Sequence, residues 1–299
     1  MQARPVLRVL EAGLGSTIQD EPRRGHARIG LPGSGPADPL AFAAARWLVG
    51  DPQGAVIEAV GLPFTFRCDD RRVVAVTGRD ISVRTAARLP GWLAFAVRPG
   101  EKVTVLGSSR YAYIAIGGGI ALEPVLGSRA TYLSAGIGPL PRALASGDSL
   151  PLGDGGDPAR AGRRLPPAAH EGAIPVIAGP HAERSPGALA ALLSAEFTVA
   201  PESDRMGVRL LGPRLGWEGS ELLTCGVLHG AIQLPRGGAP IVLGPDAQTT
   251  GGYPVIAVVA TVALGRVAQA RLGELLRFTE VTAGRAATDL RAAGAGFAS

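Results

Sequence analysis

The densest group of chemically capable side chains lies between two apolar runs in the second half of the chain. Within eight positions the segment carries a carboxylate, an amide, two hydroxyls, a phenol and two adjacent glycines: Asp246, Gln248, Thr249, Thr250, Gly251, Gly252 and Tyr253. Amide and hydroxyl groups suit an amide or ureido substrate, and a carboxylate can act as a base or orient a water. The glycines permit a close approach of the backbone to a ligand. A hairpin loop would explain the same residues, but a plain turn needs fewer polar groups.

Two smaller polar groups accompany this segment. They are Gln19-Asp20 with Arg23, and Ser203-Asp204-Arg205. An arginine guanidinium binds a carboxylate or phosphate through two parallel hydrogen bonds. A local ion pair between Asp204 and Arg205 is an equally simple structural explanation. We expect Arg205 to share one pocket with the segment from Asp246 to Tyr253, because both adjoin strands of the same predicted domain.

Short strands joined by turns are the elements that must position these groups. The two apolar runs beside the polar segment, at about 239–243 and 255–262, are rich in β-branched residues and bordered by Gly and Pro, which favours buried strands. Other strands are predicted at about 6–10, 56–60, 63–67, 72–77, 92–97, 102–106, 111–116, 174–178, 197–199, 208–211, 230–234 and 275–280. So many short strands indicate a mainly β protein.

Two short helices carry clear start signals. Asp38 as N-cap, a proline at the next position and Gly50 as the stop predict a helix over 39–49. A serine–proline pair predicts a second helix over about 186–194. The irregular stretch 13–38 is long for a compact domain, and such loops are usually functional or disordered. Its glycines and its regularly placed apolar residues favour order.

The length of 299 residues allows two domains, each with its own core. A stretch rich in Gly, Pro, Ala and Arg separates the halves and is typical of a linker. The predicted division is a first domain at 1–155, a linker at 156–171, a second domain at 172–285 and a C-terminal tail at 286–299. A similar turn-and-strand pattern at 98–105 and 271–278 suggests that the two halves are duplicates.

Composition excludes several classes of partner. The net charge is +5, but Lys102 is the only lysine, the arginines are scattered and aromatic residues make up 5%, so we expect no nucleic-acid partner. The longest apolar run, Val255 to Leu264, is far shorter than the ~20 residues of a membrane span. The N-terminus lacks the apolar core of a signal peptide. We therefore expect a cytoplasmic protein without a membrane partner.

Common cofactor motifs are missing as well. The sequence has no P-loop, and no lysine is flanked by methionines, so we expect no covalent biotin on this chain. The histidines show no metal-ligand spacing and are interpreted as surface or packed residues: His26, His170, His181 and His229. Cys68 and Cys225 form neither a zinc motif nor a disulfide framework. No metal site is predicted.

Six motifs, in order along nearly the whole chain, resemble a known family. They are Thr17-Ile-Gln19-Asp20-x-x-Arg23-x-Gly25; Gly30-Leu-Pro-x-Ser34-Gly35-Pro-x-Asp38; Val76-Thr77-Gly78; Gly117-Gly-Gly-Ile with Val125-Leu-Gly127-Ser-Arg129; Ser203-Asp204-Arg205-Met206-Gly207; and Pro240-Ile-Val-Leu followed by Asp246-x-Gln248-Thr-Thr-Gly-Gly-Tyr-Pro254. The family includes the C subunit of 5-oxoprolinase, allophanate hydrolase subunit 2, the antagonist of a histidine-kinase inhibitor, and carboxyltransferase subdomains A and B of urea carboxylase. Three places depart from its pattern: Pro22, the segment 139–142 and Cys225.

The resemblance implies two cyclophilin-like β-barrel subdomains, A-like and B-like, with a few short helices. It also implies an ATP-dependent 5-oxoprolinase that opens 5-oxoproline to L-glutamate, with ATP used in the assembled complex. The partners implied are a subunit that carries carboxyltransferase subdomains C and D and a third, lactam-hydrolase subunit. Asp246, Gln248 and Tyr253 would be catalytic. The substrate-binding residues would be Thr249, Thr250, Gly251, Gly252, Arg205, Gln19, Asp20, Arg23 and Ser34.

Two other functions fit the same family. One is a carboxyltransferase component that takes a carboxyl group from carboxybiotin on another protein and passes it to a urea-like or other small acceptor. The other is a regulatory protein that binds an inhibitor of a histidine kinase.

Overall fold

The computed structural model describes residues 4–217 and 222–295. Contacts within the chain divide it into two compact units. The first unit contains the residues up to Arg23 together with Ser34–Ala169. The second contains Arg24–Gly33 together with the residues from His170 onward.

The described part of the first unit contains eleven strands and one α-helix. They are β1 (Val6–Glu11), β2 (Thr17–Gln19), α1 (Pro39–Val49), β3 (Val56–Ala59), β4 (Phe64–Cys68), β5 (Arg72–Thr77), β6 (Ile81–Arg84), β7 (Arg88–Pro90), β8 (Ala94–Val97), β9 (Val103–Gly107), β10 (Ala112–Ile116) and β11 (Ser149–Pro151). One sheet has the order β11-β1-β4-β9-β6-β7 and the other the order β2-β3-β10-β5-β8. Both sheets are antiparallel.

Successive side chains of a strand point to opposite faces of the sheet, and in both sheets apolar side chains cover one face. Phe66 and Val105 from the first sheet and Ile57, Ile114 and Val74 from the second belong to one buried cluster. Burial of each such side chain stabilises the fold by about 1.5–3 kcal/mol. The two sheets therefore enclose a single core, as in a barrel.

Helix α1 covers the outer face of the second sheet in this unit. Its N-cap is Asp38, whose carboxylate accepts a hydrogen bond from the Ala41 amide, and it ends at Gly50, which has a φ of 76°. The Thr77 hydroxyl of β5 donates to the Ala41 carbonyl oxygen at 2.6 Å. These contacts fix the start of the helix against the sheet.

Among its described residues, the second unit has ten strands and three α-helices. They are β12 (Ile174–Ala178), α2 (Pro186–Ser194), β13 (Phe197–Val199), β14 (Gly207–Leu211), β15 (Cys225–Gly226), β16 (Ala231–Gln233), β17 (Ile241–Leu243), β18 (Thr250–Gly251), β19 (Val255–Val259), α3 (Leu264–Ala268), β20 (Leu275–Leu276), β21 (Phe278–Glu280) and α4 (Ala283–Ala295). Eight strands form one sheet in the order β20-β13-β14-β17-β16-β19-β12-β21, and β15 pairs with β18 in a separate ribbon. Only β12 and β21 pair in parallel among these described strands.

The large sheet of the second unit surrounds its own core. Phe197, Leu210, Ile232, Ile256 and Phe278 come from five different strands and belong to one buried cluster. Helix α2 adds apolar side chains to the same cluster. The mainly β class with barrel-shaped sheets and few helices is thus confirmed.

Several local features differ from the expectations. The hairpin β6–β7 and the short strands β2, β11, β15 and β18 were not predicted, the strand expected to reach residue 262 ends at Val259, and most of the expected tail forms α4. The alanine-rich composition of α4 explains the last difference, because alanine has the highest helix propensity. No helix among the described residues is long and apolar enough to cross a membrane.

The segment expected to be a linker at 156–171 is partly built into the first unit. The Gly162 amide donates to the Ala94 carbonyl at 2.8 Å, and the Ala94 amide donates to the Arg163 carbonyl at 2.8 Å. Residues 162–165 therefore cover the open edge of β8. The content of Gly, Pro, Ala and Arg suggested a linker, whereas an edge strand offers unpaired backbone groups that such a segment can satisfy.

Candidate functional site

A row of polar side chains crosses the outer face of the second sheet in the first unit. Thr17 of β2 pairs with Glu58 of β3, Glu58 with Tyr113 of β10, and Tyr113 with Thr77 of β5. Residues directly opposite one another in neighbouring strands share a face, so these four side chains form one layer. All four are buried. The layer lies on the opposite face from the apolar core.

A hydrogen-bond network links this layer to the loop before α1. The Tyr113 hydroxyl donates to Oε2 of Glu58 at 2.8 Å and accepts from the Asp38 amide at 2.7 Å. The Ala37 amide donates to the same Glu58 oxygen at 2.9 Å. Burial and then the neighbouring Glu58 carboxylate raise the pKa of Tyr113 well above its usual value. The phenol therefore stays protonated and keeps donating to Glu58.

Three of the residues predicted to bind substrate converge on the segment 125–131. Nε2 of Gln19 and Oγ of Ser34 both donate to the Thr131 carbonyl, each at 3.1 Å. Nη2 of Arg23 donates to the Ala130 carbonyl at 2.7 Å. Ser34 also holds a φ of 55°, which is uncommon for a residue other than glycine.

The fourth residue, Asp20, binds the same segment. Its Oδ2 accepts from both the backbone amide and Nη1 of Arg129, each at 3.1 Å. The structure thus brings Gln19, Asp20, Arg23 and Ser34 together, but these hydrogen bonds are all made within the protein itself. They hold the segment 125–131 in place, and direct contact with a substrate stays a prediction. Oε1 of the fully buried Gln19 has no hydrogen-bond partner.

The large sheet of the second unit has two distinct ends. We term one end of the sheet the near end: strands β14 and β16 begin there, and strands β17 and β19 end there. The opposite end is the far end. This follows from the antiparallel pairing of β14 with β17, β17 with β16, and β16 with β19. Since β17 and β19 flank β16, they run parallel to each other. The polar segment that joins them, residues 246–254, must therefore cross the length of the sheet, and we call it the crossover segment.

At the near end, Arg205 and Asp246 form a bidentate ion pair. Nε of Arg205 lies 2.7 Å from Oδ2 of Asp246, and Nη2 lies 3.0 Å from Oδ1. The side chains are only 13% and 7% exposed. The Asp246 amide also donates to the Arg205 carbonyl at 3.1 Å. The prediction that these two residues meet is correct. The guanidinium, however, binds the Asp246 carboxylate and does not point into an open pocket where it could bind a ligand.

His229 lies in the loop before β16 at the same end of the sheet. Burial, and after it the positive charge of Arg205, lower the pKa of His229 to about 4, while Asp246 acts in the opposite direction. The imidazole is therefore neutral near pH 7. The interpretation of His229 as a packed histidine missed this electrostatic coupling to the ion pair.

In the middle of the crossover segment, an amide pair connects it to the sheet below. Nε2 of the exposed Gln248 lies 3.3 Å from Oε1 of Gln233, the last residue of β16. Gln233 is 1% exposed, and its own Nε2 has no hydrogen-bond partner. A Cβ added at Gly251 would fall 2.6 Å from that nitrogen. An alanine here would therefore force the Gln233 side chain to shift.

At the far end, Gly252 and Tyr253 line a cavity of about 690 Å³. The other described lining residues are Leu215, Gly216, Trp217, Leu222, Leu234, Pro235, Arg236 and Pro254. Arg205, Asp246 and Gln248 are not among them. The expectation of one pocket for Arg205 and the whole segment is therefore wrong, because the segment crosses the sheet and does not turn back as a hairpin would.

Among the described residues, no three His, Cys, Asp or Glu side chains lie close enough together to hold a metal ion.

A family model described as carboxyltransferase domain, subdomain A and B, matches residues 29–280. The chain belongs to this family.

Named relatives in the carboxyltransferase A and B family fall into two groups. The C subunit of 5-oxoprolinase from Escherichia coli is 33% identical over 92% of this chain and 91% of its own length. The C subunit of 5-oxoprolinase from Haemophilus influenzae is 31% identical over 93% and 92%. A putative urea carboxylase of Emericella nidulans is 29% identical over 90% of this chain, which spans 24% of that protein.

Two solved structures also resemble this chain. The crystal structure of TTHA0988 superposes with a TM-score of 0.83 at 31% identity and covers 93% of this chain, which spans 57% of that one. The Kluyveromyces lactis urea carboxylase gives a TM-score of 0.86 at 26% identity over 99% of this chain and 29% of its own. In these proteins the matching region is part of a longer chain.

Sequence reasoning missed Glu58, Tyr113, Gln233 and His229. For Glu58 and Gln233 a signal was present, because each is a lone polar residue inside a short run of otherwise apolar strand residues. A buried polar group in such a run must find a hydrogen-bond partner or serve a ligand. Tyr113 gave no comparable signal, since tyrosine is common in strands.

Proposed function

We propose that this chain is a subunit of an ATP-dependent 5-oxoprolinase that opens 5-oxoproline to L-glutamate. It works in a complex with a subunit that carries carboxyltransferase subdomains C and D and with a third, lactam-hydrolase subunit. The observation that carries this proposal is the match to two 5-oxoprolinase C subunits over about nine-tenths of their length and of this chain. The urea carboxylase relative is matched over a quarter of its length or less.

The crossover segment supplies groups suited to a cyclic amide. Gln248 and Thr250 are exposed, and Tyr253 is 46% exposed, so their polar atoms can meet a substrate. An amide side chain can both donate to the lactam carbonyl and accept from the lactam N–H. Ring opening breaks the lactam C–N bond and adds water across it, which leaves the amine and the new carboxylate of glutamate.

Asp246 has a different role in this proposal from that of a base. Its two oxygens accept from Arg205, so we assign it as a positioning residue that fixes the start of the crossover segment. Gln248 and Tyr253 keep their proposed direct contacts. Thr249, Thr250, Gly251 and Gly252 shape the path between them.

The test is co-expression with the cognate C and D subdomain subunit and the lactam-hydrolase subunit, followed by assay of glutamate release. Glutamate should appear only when both ATP and 5-oxoproline are present. Gln248→Ala should lower turnover, whereas Arg67→Met, at an exposed arginine of β4 in the first unit, should not. Glutamate release that does not depend on this chain would contradict the proposal.

A second function is favoured by the family model itself and by the urea carboxylase relatives. In that case the chain is a carboxyltransferase component that accepts a carboxyl group from biotin on another protein. Incubation of the complex with a carboxylated biotin carrier distinguishes the two. Acceptor-dependent loss of carboxybiotin, without ATP- and 5-oxoproline-dependent glutamate, would support the carboxyltransferase.

A further inference from the structure

A buried glutamine lies beneath the middle of the crossover segment. Gln233 is the last residue of β16 and is 1% exposed. It pairs with Ile241 of β17 on one side and with Val255 of β19 on the other, so its side chain shares a face of the sheet with theirs. Val255 belongs to a small apolar cluster, and Ile241 packs against that cluster. The carboxamide of Gln233 thus lies among apolar neighbours.

The hydrogen bonds of the Gln233 carboxamide are incomplete in this environment. Its Oε1 accepts from Nε2 of Gln248 at 3.3 Å, whereas its own Nε2 has no hydrogen-bond partner in the described part of the chain. A Cβ added at Gly251 would fall 2.6 Å from that nitrogen, so the backbone of the crossover segment closes over it. A buried donor without a partner destabilises the fold, and an apolar side chain of similar shape would avoid this loss. Stability alone therefore gives no reason for glutamine at this position.

The feature that glutamine supplies here is a fixed hydrogen-bond acceptor. Oε1 of Gln233 binds the nitrogen of Gln248, and it would not bind the oxygen, so it turns that nitrogen toward the sheet. The exposed Gln248 keeps a second N–H and its own carbonyl oxygen for other partners. Without the buried acceptor, the Gln248 carboxamide would be free to rotate and exchange the positions of its oxygen and nitrogen. Gln233 therefore sets the orientation of the exposed amide.

An exposed carboxamide with a fixed orientation is complementary to one class of ligand. The ring of a lactam holds its amide in the cis form, so the C=O and the N–H lie side by side on one edge. A primary carboxamide pairs with that edge through two hydrogen bonds, since its N–H donates to the lactam oxygen and its oxygen accepts from the lactam N–H. An open-chain trans amide presents the two groups on opposite edges and makes only one of these bonds. Prior orientation lowers the entropic cost of this pairing.

We propose that Gln233 is a positioning residue that makes the site select the cis-amide edge of a lactam, because it fixes the carboxamide of Gln248. Gln233 contacts Gln248 and does not contact the ligand. The choice of a lactam rests on the proposed function, whereas the fixed pair of amides rests on the contacts within this chain. Urea presents a similar edge, and the experiment separates the two ligands.

The experiment measures binding of 2-pyrrolidinone to the full chain by saturation-transfer NMR. The comparison ligands are N-methyl-2-pyrrolidinone, which has the same ring without the N–H, and urea. Gln233→Met keeps the length of the side chain and removes the acceptor, and Gln233→Leu is a second apolar variant. Gln53→Met makes the same chemical change at an exposed glutamine of the first unit and is the matched control. A thermal melt accompanies each binding measurement.

We expect Gln233→Met to melt at least about 2 °C above the wild type, because it removes a buried donor that has no partner. The same variant should bind 2-pyrrolidinone about threefold to tenfold more weakly, the effect of one hydrogen bond. A merely structural role would not give this combination of higher stability and weaker binding. Gln53→Met should change neither quantity, and N-methyl-2-pyrrolidinone and urea should bind more weakly than 2-pyrrolidinone.

A double-mutant cycle shows whether Gln233 acts through Gln248. Once Gln248→Ala has removed the oriented amide, adding Gln233→Met should weaken lactam binding no further, although it should still raise the melting temperature. Independent effects of the two substitutions would instead multiply.

Four results would overturn the inference. They are unchanged lactam binding in Gln233→Met, effects that multiply in the cycle, binding of N-methyl-2-pyrrolidinone or urea as tight as that of 2-pyrrolidinone, and melting below the wild type in both Gln233→Met and Gln233→Leu. The proposed function is judged separately by glutamate release. Glutamate release by a complex whose lactam binding does not depend on Gln233 removes the inference alone. Lactam binding that depends on Gln233, without ATP-dependent glutamate release, removes the 5-oxoprolinase function alone.

Discussion

Asp246→Asn tests whether the near-end ion pair holds the crossover segment in place. The substitution keeps the shape of the side chain but removes the charge that two nitrogens of Arg205 contact at 2.7 and 3.0 Å. Loss of one partner from a buried pair costs about 3–5 kcal/mol. Because Arg205 is 13% exposed and water can reach part of it, we expect a loss near the lower bound, about 3 kcal/mol.

The expected change in melting temperature follows from this free energy. A loss of 1 kcal/mol lowers the melting temperature of a domain of 150–250 residues by about 2–4 °C, so the variant should melt about 6–12 °C below the wild type. Calorimetry of the full chain measures this shift. Turnover by the assembled complex should fall as well, because the crossover segment loses the anchor at its start.

Asp289→Asn is the matched control, since Asp289 forms an exposed pair with Arg285 on α4. Surface pairs of this kind contribute about 0.3–0.5 kcal/mol, so the control should melt within about 1–2 °C of the wild type. A double-mutant cycle with Arg205→Gln should give a coupling of at least about 1 kcal/mol. If Asp246→Asn melts like the control, or the cycle shows no coupling, the ion pair does not anchor the segment.

Three further predictions concern neighbouring residues. Gln248→Ala should lower glutamate release by about tenfold, the value of one hydrogen bond in the transition state, with a melting temperature close to that of the wild type; unchanged turnover would remove Gln248 from the site. Gly251→Ala should cost about 1–3 kcal/mol because its Cβ meets Gln233, whereas at Gly252 the nearest atom is 3.7 Å away and alanine should be tolerated; urea unfolding distinguishes them. Burial lowers the pKa of His229 to about 4, so between its unfolded value near 6.5 and about 4 the unfolded state binds more protons. Stability should therefore fall by about 2–3 kcal/mol as pH drops through this window, and His229→Gln should flatten that slope in denaturation measured from pH 4 to pH 8.

Local signals in the sequence were enough for the elements that depend on neighbouring residues. Helix α1 was predicted over 39–49 because Asp38 caps its first turn and Gly50 ends it, and the structure uses both in this way. Most strands were found within a few residues for the same reason. The hairpin β6–β7 was missed, since its apolar residues form no long run and its pairing depends on the distant strand β9.

Pairings between distant strands could not be predicted in the same way. The meeting of Arg205 with Asp246 was predicted because both adjoin strands of one domain. The further step to a single pocket was wrong, since proximity to strands of one domain does not decide at which end of the sheet each part of the polar segment lies. In the structure β16 lies between the two strands that flank this segment, and no local pattern specifies such an order.

The candidate residues of the first unit illustrate another limit. Gln19 and Ser34 were selected for their polar groups, and the structure shows both donating to the Thr131 carbonyl. The partner is a backbone oxygen about a hundred residues away, which carries no trace in the sequence. Residue type alone cannot separate a side chain that binds a ligand from one that holds a loop.

The crossover segment explains how a loop so rich in polar groups can have a fixed shape. It is tied at its start by the Asp246 amide on the Arg205 carbonyl, in its middle by the Val227 amide on the Thr249 carbonyl at 3.0 Å, and at its end by the Leu234 amide on the Pro254 carbonyl. Three anchors along nine residues leave little freedom between them, so the exposed groups of the segment are held in position before a ligand binds. Such pre-organisation lowers the entropic cost of binding. Sites on loops are usually held less precisely than sites on helices or strands. The crossover segment therefore connects the ion pair at the near end to the cavity at the far end. The ion pair fixes the start of the segment, and the last residues of the segment form a wall of the cavity.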